Sequence, residues 1–160
     1  MKKNAILFSA SNYTKSPLIQ IDDLPGVKYD IQAMHKRLTQ IGFEVKQIEN
    51  VSKDQIIPAL EDNASNSPCD AIHIVYFTGH GGHANGNNYI YPIDFASRFD
   101  TSKDIETSAM NIRDIISIYK GKGRLILILD ACRSDFESSK GYYSEITAAE
   151  DVYIAYGTQF

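Results

Sequence analysis

Apolar and polar positions along this chain follow two different rhythms, and the alternation between them predicts the fold. Residues 4–9 open with a short apolar run, Ala5-Ile6-Leu7-Phe8, that reads as a first strand. A polar loop follows and closes on Asp22-Asp23-Leu24-Pro25-Gly26, where proline and glycine mark a turn. Ile31, Met34, Leu38 and Ile41 then recur at the spacing of one helix face, and Gly42 stands where a helix terminates. Phe43, Val45 and Ile48 suggest a second strand. Ser52 is placed to cap a helix carrying Ile56, Ile57 and Leu60. Ile72 to Phe77, broken only by His73, and Leu125 to Leu129 are near-continuous apolar runs, the signature of buried parallel strands. Ile112, Ile115, Ile116 and Tyr119 mark a third helix, and Val152 to Tyr156 a last strand. Between Gly81 and about Ser108 the sequence predicts a long loop, interrupted by the short apolar stretch Tyr89-Ile90-Tyr91-Pro92-Ile93, a length that in a compact domain usually serves function. The order strand, helix, strand, helix, strand, helix, strand, strand predicts an α/β domain. Its architecture is a three-layer α/β/α sandwich around a mostly parallel sheet.

The two strongest runs end on reactive side chains, Thr78-Gly79-His80-Gly81 and Asp130-Ala131-Cys132. Ligands of open α/β sheets bind at the carboxyl ends of the strands, so a histidine and a cysteine just past two strand ends can share one crevice. Cysteine reacts as the thiolate, and a neighbouring imidazole both promotes that form and returns the proton to a leaving group. Gly81 leaves room for a substrate carbonyl, and the N–H groups of Gly81 and Cys132 suit an oxyanion hole. A lone cysteine at a strand end is also a common small core residue, and a histidine among glycines a common turn residue. The shared placement at two successive strands favours chemistry. His83 competes with His80 as the base, His73 falls inside the strand as a core residue, and His35 falls on the exposed side of the first helix.

Composition narrows the field. With 160 residues, 43% hydrophobic and 22% charged, the chain is sized for one domain, residues 1–160, that needs no disulfide or metal to hold its core. A net charge of −4 without any basic block speaks against nucleic-acid binding. No apolar run reaches membrane-spanning length, so no membrane partner is expected. Cys69 and Cys132 lie in unlike contexts and do not form a disulfide framework, which fits a reducing, cytoplasmic setting.

The blocks Tyr76-Phe77-Thr78-Gly79-His80-Gly81 and Asp130-Ala131-Cys132-Arg133 resemble the caspase superfamily of cysteine peptidases, which includes caspases, metacaspases, paracaspases and bacterial orthocaspases. In caspases the nucleophile stands in Gln-Ala-Cys and its histidine lies about 50 residues upstream, a separation close to that of His80 and Cys132 here. Leu24-Pro25-Gly26-Val27-Lys28-Tyr29-Asp30, with Gly42-Phe43-Glu44-Val45 after the helix, resembles the N-terminal pattern of the same family. The resemblance, nearest to bacterial metacaspases and orthocaspases, implies a cysteine endopeptidase. Cys132 is then the nucleophile, and His80 is the general acid–base, because the family's histidine directly precedes the first glycine after the strand, here Gly81; His83 falls to the loop wall.

The same resemblance implies a substrate preference. Metacaspases carry aspartate two residues before the cysteine and cleave after arginine or lysine, and Asp130 occupies that position. Asp30, Thr78 and Val27 match the other lining positions of the S1 pocket, which implies protein or peptide substrates with a basic residue before the scissile bond. Asp30 also reads as an exposed first-turn acid that suits a helix dipole. Many metacaspases need calcium, but here Asn85, Asn87 and Asn88 stand where carboxylates would, and Asp94 alone is a poor site for a cation wanting six or more oxygens. No metal or other cofactor is expected.

Lys140, in Ser138-Ser139-Lys140-Gly141, is a candidate self-cleavage site. The resemblance implies that the chain is the family's large-subunit portion. A small-subunit segment, or a partner chain, is expected against the last strand, whose edge is otherwise unpaired. Two alternatives remain: a caspase-like scaffold or adaptor without turnover, and a nucleotide-binding flavodoxin-like module. The latter is disfavoured because Ser9-Ala10-Ser11-Asn12-Tyr13 lacks the glycines of a phosphate loop.

Overall fold

The computed structural model describes residues 1–13, 21–65, 67–96, 102–133 and 151–157, with the backbone alone described at Cys132 and Arg133. Strand β1 (Lys3–Ser9) leads through the polar loop to helix α1 (Val27–Gln40), followed by β2 (Glu44–Ile48) and α2 (Lys53–Ala64). Strand β3 (Ile72–Ala84) turns back as β4 (Asn87–Ile90). Helix α3 (Ser102–Ser108), β5 (Met110–Asn111) and α4 (Ile112–Ile118) connect to β6 (Arg124–Arg133), and β7 (Val152–Tyr156) follows. The core pairings β2–β1, β1–β3, β3–β6 and β6–β7 are all parallel. Among the described residues, β3–β4 and β4–β5 are the antiparallel pairings. This is the predicted α/β/α sandwich around a mostly parallel sheet.

Alternation along each strand divides the core into two layers. On one face Ala5, Leu7, Ile74 and Tyr76 pack against Ile31 and Leu38 of α1. On the other, Ile6, Phe8, Phe77, Leu127 and Leu129 meet Ile56 and Leu60 of α2 and Ile112 and Ile115 of α4. Ile31 is wholly buried, and burying a side chain of this size contributes about 1.5–3 kcal/mol. Helix ends follow the expected chemistry. Gly42 takes φ +88 behind α1, and Ser52 with Gln55 forms a capping box at α2.

The region after Gly81 departs from the prediction of a loop. β3 continues through His80 and Gly81 to Ala84, and the β3–β4 hairpin, α3 and β5 occupy much of the interval. The hairpin is hidden in the sequence because its partner strand, Asn-Asn-Tyr-Ile, is short and half polar. Reactive positions at the ends of both long strands are therefore built into the strands rather than placed beyond them. His83 likewise belongs to β3, opposite Asn88, and not to a loop wall. His35 is half-buried and its Nδ1 lies 2.9 Å from Gln47 Oε1, not on an exposed face. His73 is fully buried, as expected of a core residue. Lys140 lies outside the described residues. Among the described residues no helix is long and apolar enough to cross a membrane.

Candidate active site

The register of β3 on β6 brings the two sequence blocks together. His80 pairs with Cys132, Thr78 with Asp130 and Gly81 with Arg133. Two reactive positions separated in sequence thus become side-by-side neighbours on adjacent parallel strands, at the carboxyl edge where the fold binds ligands.

His80 is held by the loop between β1 and α1. Its Nε2 lies 2.9 Å from the backbone oxygen of Asp22. A carbonyl only accepts, so Nε2 carries the hydrogen and Nδ1 of the neutral ring is the basic nitrogen. The ring of Tyr13 meets the imidazole edge-on, with centroids 4.9 Å apart and planes inclined 62°. The His80 N–H donates to the Tyr13 hydroxyl at 3.0 Å, and that hydroxyl donates to the Tyr91 backbone oxygen at 2.8 Å. The loop itself is gathered by Asn50, whose Oδ1 accepts from Ser11 N–H, Ser11 Oγ–H and Asn12 N–H at 2.9–3.1 Å. Asp23 Oδ1 accepts the Tyr13 N–H at 2.7 Å.

The glycines of the histidine block answer to close packing. A Cβ on Gly79 would stand 2.9 Å from the Tyr13 hydroxyl and 2.8 Å from Phe77 Cζ. A Cβ on Gly81 would stand 2.9 Å from the Tyr89 backbone oxygen and 3.1 Å from Ala131 Cβ. Gly81, expected to admit a substrate carbonyl, first of all admits β4 and β6.

Two acids lie near this pair, Asp130 on β6 and Asp30 on α1. The Tyr76 hydroxyl donates to Asp130 Oδ2 at 3.3 Å. Burial pushes the Asp130 carboxyl above its ordinary value; the Tyr76 bond lowers it and the negative field of Asp30 raises it. Asp30 is exposed in the first turn of α1, close enough to act on both Asp130 and Tyr76. Thr78 and Val27 are buried, Thr78 directly beside Asp130 in the sheet. A cationic side chain reaching this edge would meet two carboxylates of like sign.

One model in the comparison with protein families, that of the caspase domain of peptidase family C14, matches residues 2–159. The chain belongs to this caspase-domain family. Among curated proteins, human mucosa-associated lymphoid tissue lymphoma translocation protein 1 is 19% identical over 160 residues, covering 98% of this caspase domain. The domain spans 18% of that relative's length. Membership makes the protein a caspase-like member of a cysteine-peptidase family, and the sheet, seven-stranded among the described residues, agrees with the caspase-like fold.

Several residues that shape the site carry little signal in the sequence. Tyr13 and Asn50 sit in polar turns, and Tyr76 and Tyr91 in apolar runs where a phenol reads as packing. The one available clue to Tyr13 was its position just after the first strand, on the same sheet edge as His80. Asp94, considered above as a leftover cation ligand, instead accepts the N–H of Lys53 at 2.9 Å and completes the start of α2. Asn85 donates to Glu106 at 2.8 Å, and Asn88 to the Tyr156 hydroxyl at 3.3 Å. Among the described residues, no three histidine, cysteine or acidic side chains gather as a metal site.

Proposed function

We propose that this caspase domain is a cysteine endopeptidase that hydrolyses peptide bonds after arginine or lysine. The observation that supports it is the β3–β6 register, which sets His80 beside Cys132 and Thr78 beside Asp130. In this reading Cys132 Sγ gives its proton to His80 Nδ1 and attacks the scissile carbonyl carbon. The N–H groups of Gly81 and Cys132 receive the oxyanion. The C–N bond then breaks as His80 returns the proton to the leaving amine, leaving a thioester on Cys132. Water, losing a proton to His80, attacks the thioester, and the thiol is regenerated with release of the carboxylic acid.

Asp130, assisted by Asp30, takes the guanidinium or ammonium of the residue before the scissile bond, and Thr78 and Val27 form the walls. Charge-assisted pairing favours such a cation and repels an anion, a discrimination of about 2–5 kcal/mol when the pair is desolvated. Calcium has no role in this scheme, and Lys140 is a self-processing site matching the same preference. The reading extends to a cytoplasmic setting and to a further segment or partner chain alongside β7.

A panel of fluorogenic peptides differing only in the residue before the scissile bond tests the proposal. Turnover of arginyl and lysyl peptides, with none of the aspartyl peptide, is expected. Aspartyl cleavage without arginyl cleavage would overturn the pocket assignment, and no turnover of any peptide would favour a binding role for the fold.

A further inference from the structure

Tyr13 is fully buried, and its ring alone could be explained as core packing. Its hydroxyl is harder to explain that way. It accepts the His80 N–H at 3.0 Å and donates to the Tyr91 oxygen at 2.8 Å, so both its donor and an acceptor site are used by the backbone of the histidine strand and of the segment beyond β4. The same residue presents its ring to the His80 imidazole. Its own backbone is tied by the 2.7 Å bond to Asp23, next to the Asp22 carbonyl that takes His80 Nε2. Gly79 is the residue that lets the hydroxyl in, since a Cβ there would stand 2.9 Å from it.

We infer that Tyr13 is a positioning residue for His80, fixing through its hydroxyl the backbone from which the imidazole projects and through its ring the plane the imidazole adopts. This rests on the reading of His80 as the general acid–base. Two independent contacts on one histidine, from main chain and ring, restrict it in translation and in rotation together. The third contact, Asp22 oxygen on Nε2, then fixes the tautomer. Burial also raises the Tyr13 phenol far above its ordinary value, so the hydroxyl keeps its proton and its donor role throughout the working pH range. Misplacing a catalytic group by about 1 Å can cost on the order of 100-fold in rate.

The test is a double-mutant cycle between Tyr13→Phe and His80→Ala, in a Cys69→Ser background so that labelling reports Cys132 alone. The readout is the rate constant for labelling Cys132 with an arginyl chloromethyl ketone, together with kcat and KM on an arginyl peptide. Tyr13→Phe keeps the ring and removes the hydroxyl. It is expected to lower kcat and labelling about 10-fold or more, with KM within about twofold. In the His80→Ala background the same change is expected to add less than about a twofold loss. Equal losses in both backgrounds would mean that Tyr13 only supports the fold, and no loss in either would equally overturn the inference. Labelling undiminished by His80→Ala would instead sink the reading of His80, and this inference with it. If Tyr13→Phe fails to fold, hydrogen exchange of the His80 amide in the native protein decides. Protection is expected, and exchange at the rate of an exposed amide would overturn the inference.

Discussion

The Tyr76 hydroxyl reaches Asp130 Oδ2 across 3.3 Å, linking the strand of His80 to the carboxylate that precedes Cys132. Both residues stand on the α1 face of the sheet, and both sense the charge of Asp30. The contact acts against two others. Burial and Asp30 push the Asp130 carboxyl upward, and the Tyr76 bond draws it back.

That balance gives a signed pH dependence. Pairing with a cationic ligand requires ionised Asp130, so binding is present above its raised value and lost as the pH falls through it. Tyr76→Phe removes the contact that lowers the value and should move this loss to higher pH. Asp30→Asn removes a charge that raises it and should move the loss to lower pH. Calorimetric titration of an arginine amide across the acid range measures both, and shifts in the same direction for the two variants would contradict the pocket described.

Asp130→Ala separates recognition from nucleophilicity. Removing the carboxylate should lose about 2–5 kcal/mol of selectivity for basic over neutral peptides, roughly 30-fold or more in kcat/KM. The rate of Cys132 alkylation by iodoacetamide, which needs no pocket, should stay nearly unchanged. A parallel collapse of both rates would assign Asp130 to the reactive centre instead.

His73 predicts a pH-dependent stability unrelated to catalysis. It is fully buried, its Nε2 donates to the Lys122 oxygen at 3.1 Å, and its ring rests on Tyr119 with centroids 4.9 Å apart. Burial lowers it below the ordinary 6.5. The unfolded chain therefore takes up a proton that the folded one refuses. Stability is full above 6.5 and declines as the pH falls toward the depressed folded value. His73→Phe should flatten this decline, seen as a smaller loss of melting temperature on acidification; each kcal/mol corresponds to about 2–4 °C in a domain of this size.

Asp94 is expected to act on stability and not on metal dependence. Its carboxylate accepts the first N–H of α2, and loss of such a contact costs about 1 kcal/mol. Asp94→Ala should lower the melting temperature by a few degrees while leaving peptidase activity equal in calcium and in EDTA. Calcium-dependent turnover abolished by the substitution would show that the residue holds a cation.

The apolar rhythm made the principal strands and three of the helices legible, because burial on one or both faces leaves a periodic trace. Strand ends at His80 and Cys132 were legible for the same reason, although the strands run on through them. The β4–β5 addition was not, since Asn87 to Ile90 is too short and too polar to show a period. The shell around His80 was hidden more deeply. Tyr13, Asn50 and the Asp22 carbonyl act through tertiary contacts from loops, and a carbonyl that orients an imidazole carries no side-chain signature at all. Asp130 and Asp30 became visible through resemblance; their mutual field emerges only from the folded chain.

Labelling by an arginyl chloromethyl ketone, followed by peptide mapping, tests the central claim most directly. It reports nucleophile, base and pocket charge in one experiment. Modification of Cys132 is expected, strongly reduced in His80→Ala and in Asp130→Ala, while an aspartyl chloromethyl ketone leaves the thiol untouched. Modification of Cys69 alone, or of Cys132 at the same rate in wild type and His80→Ala, would contradict it.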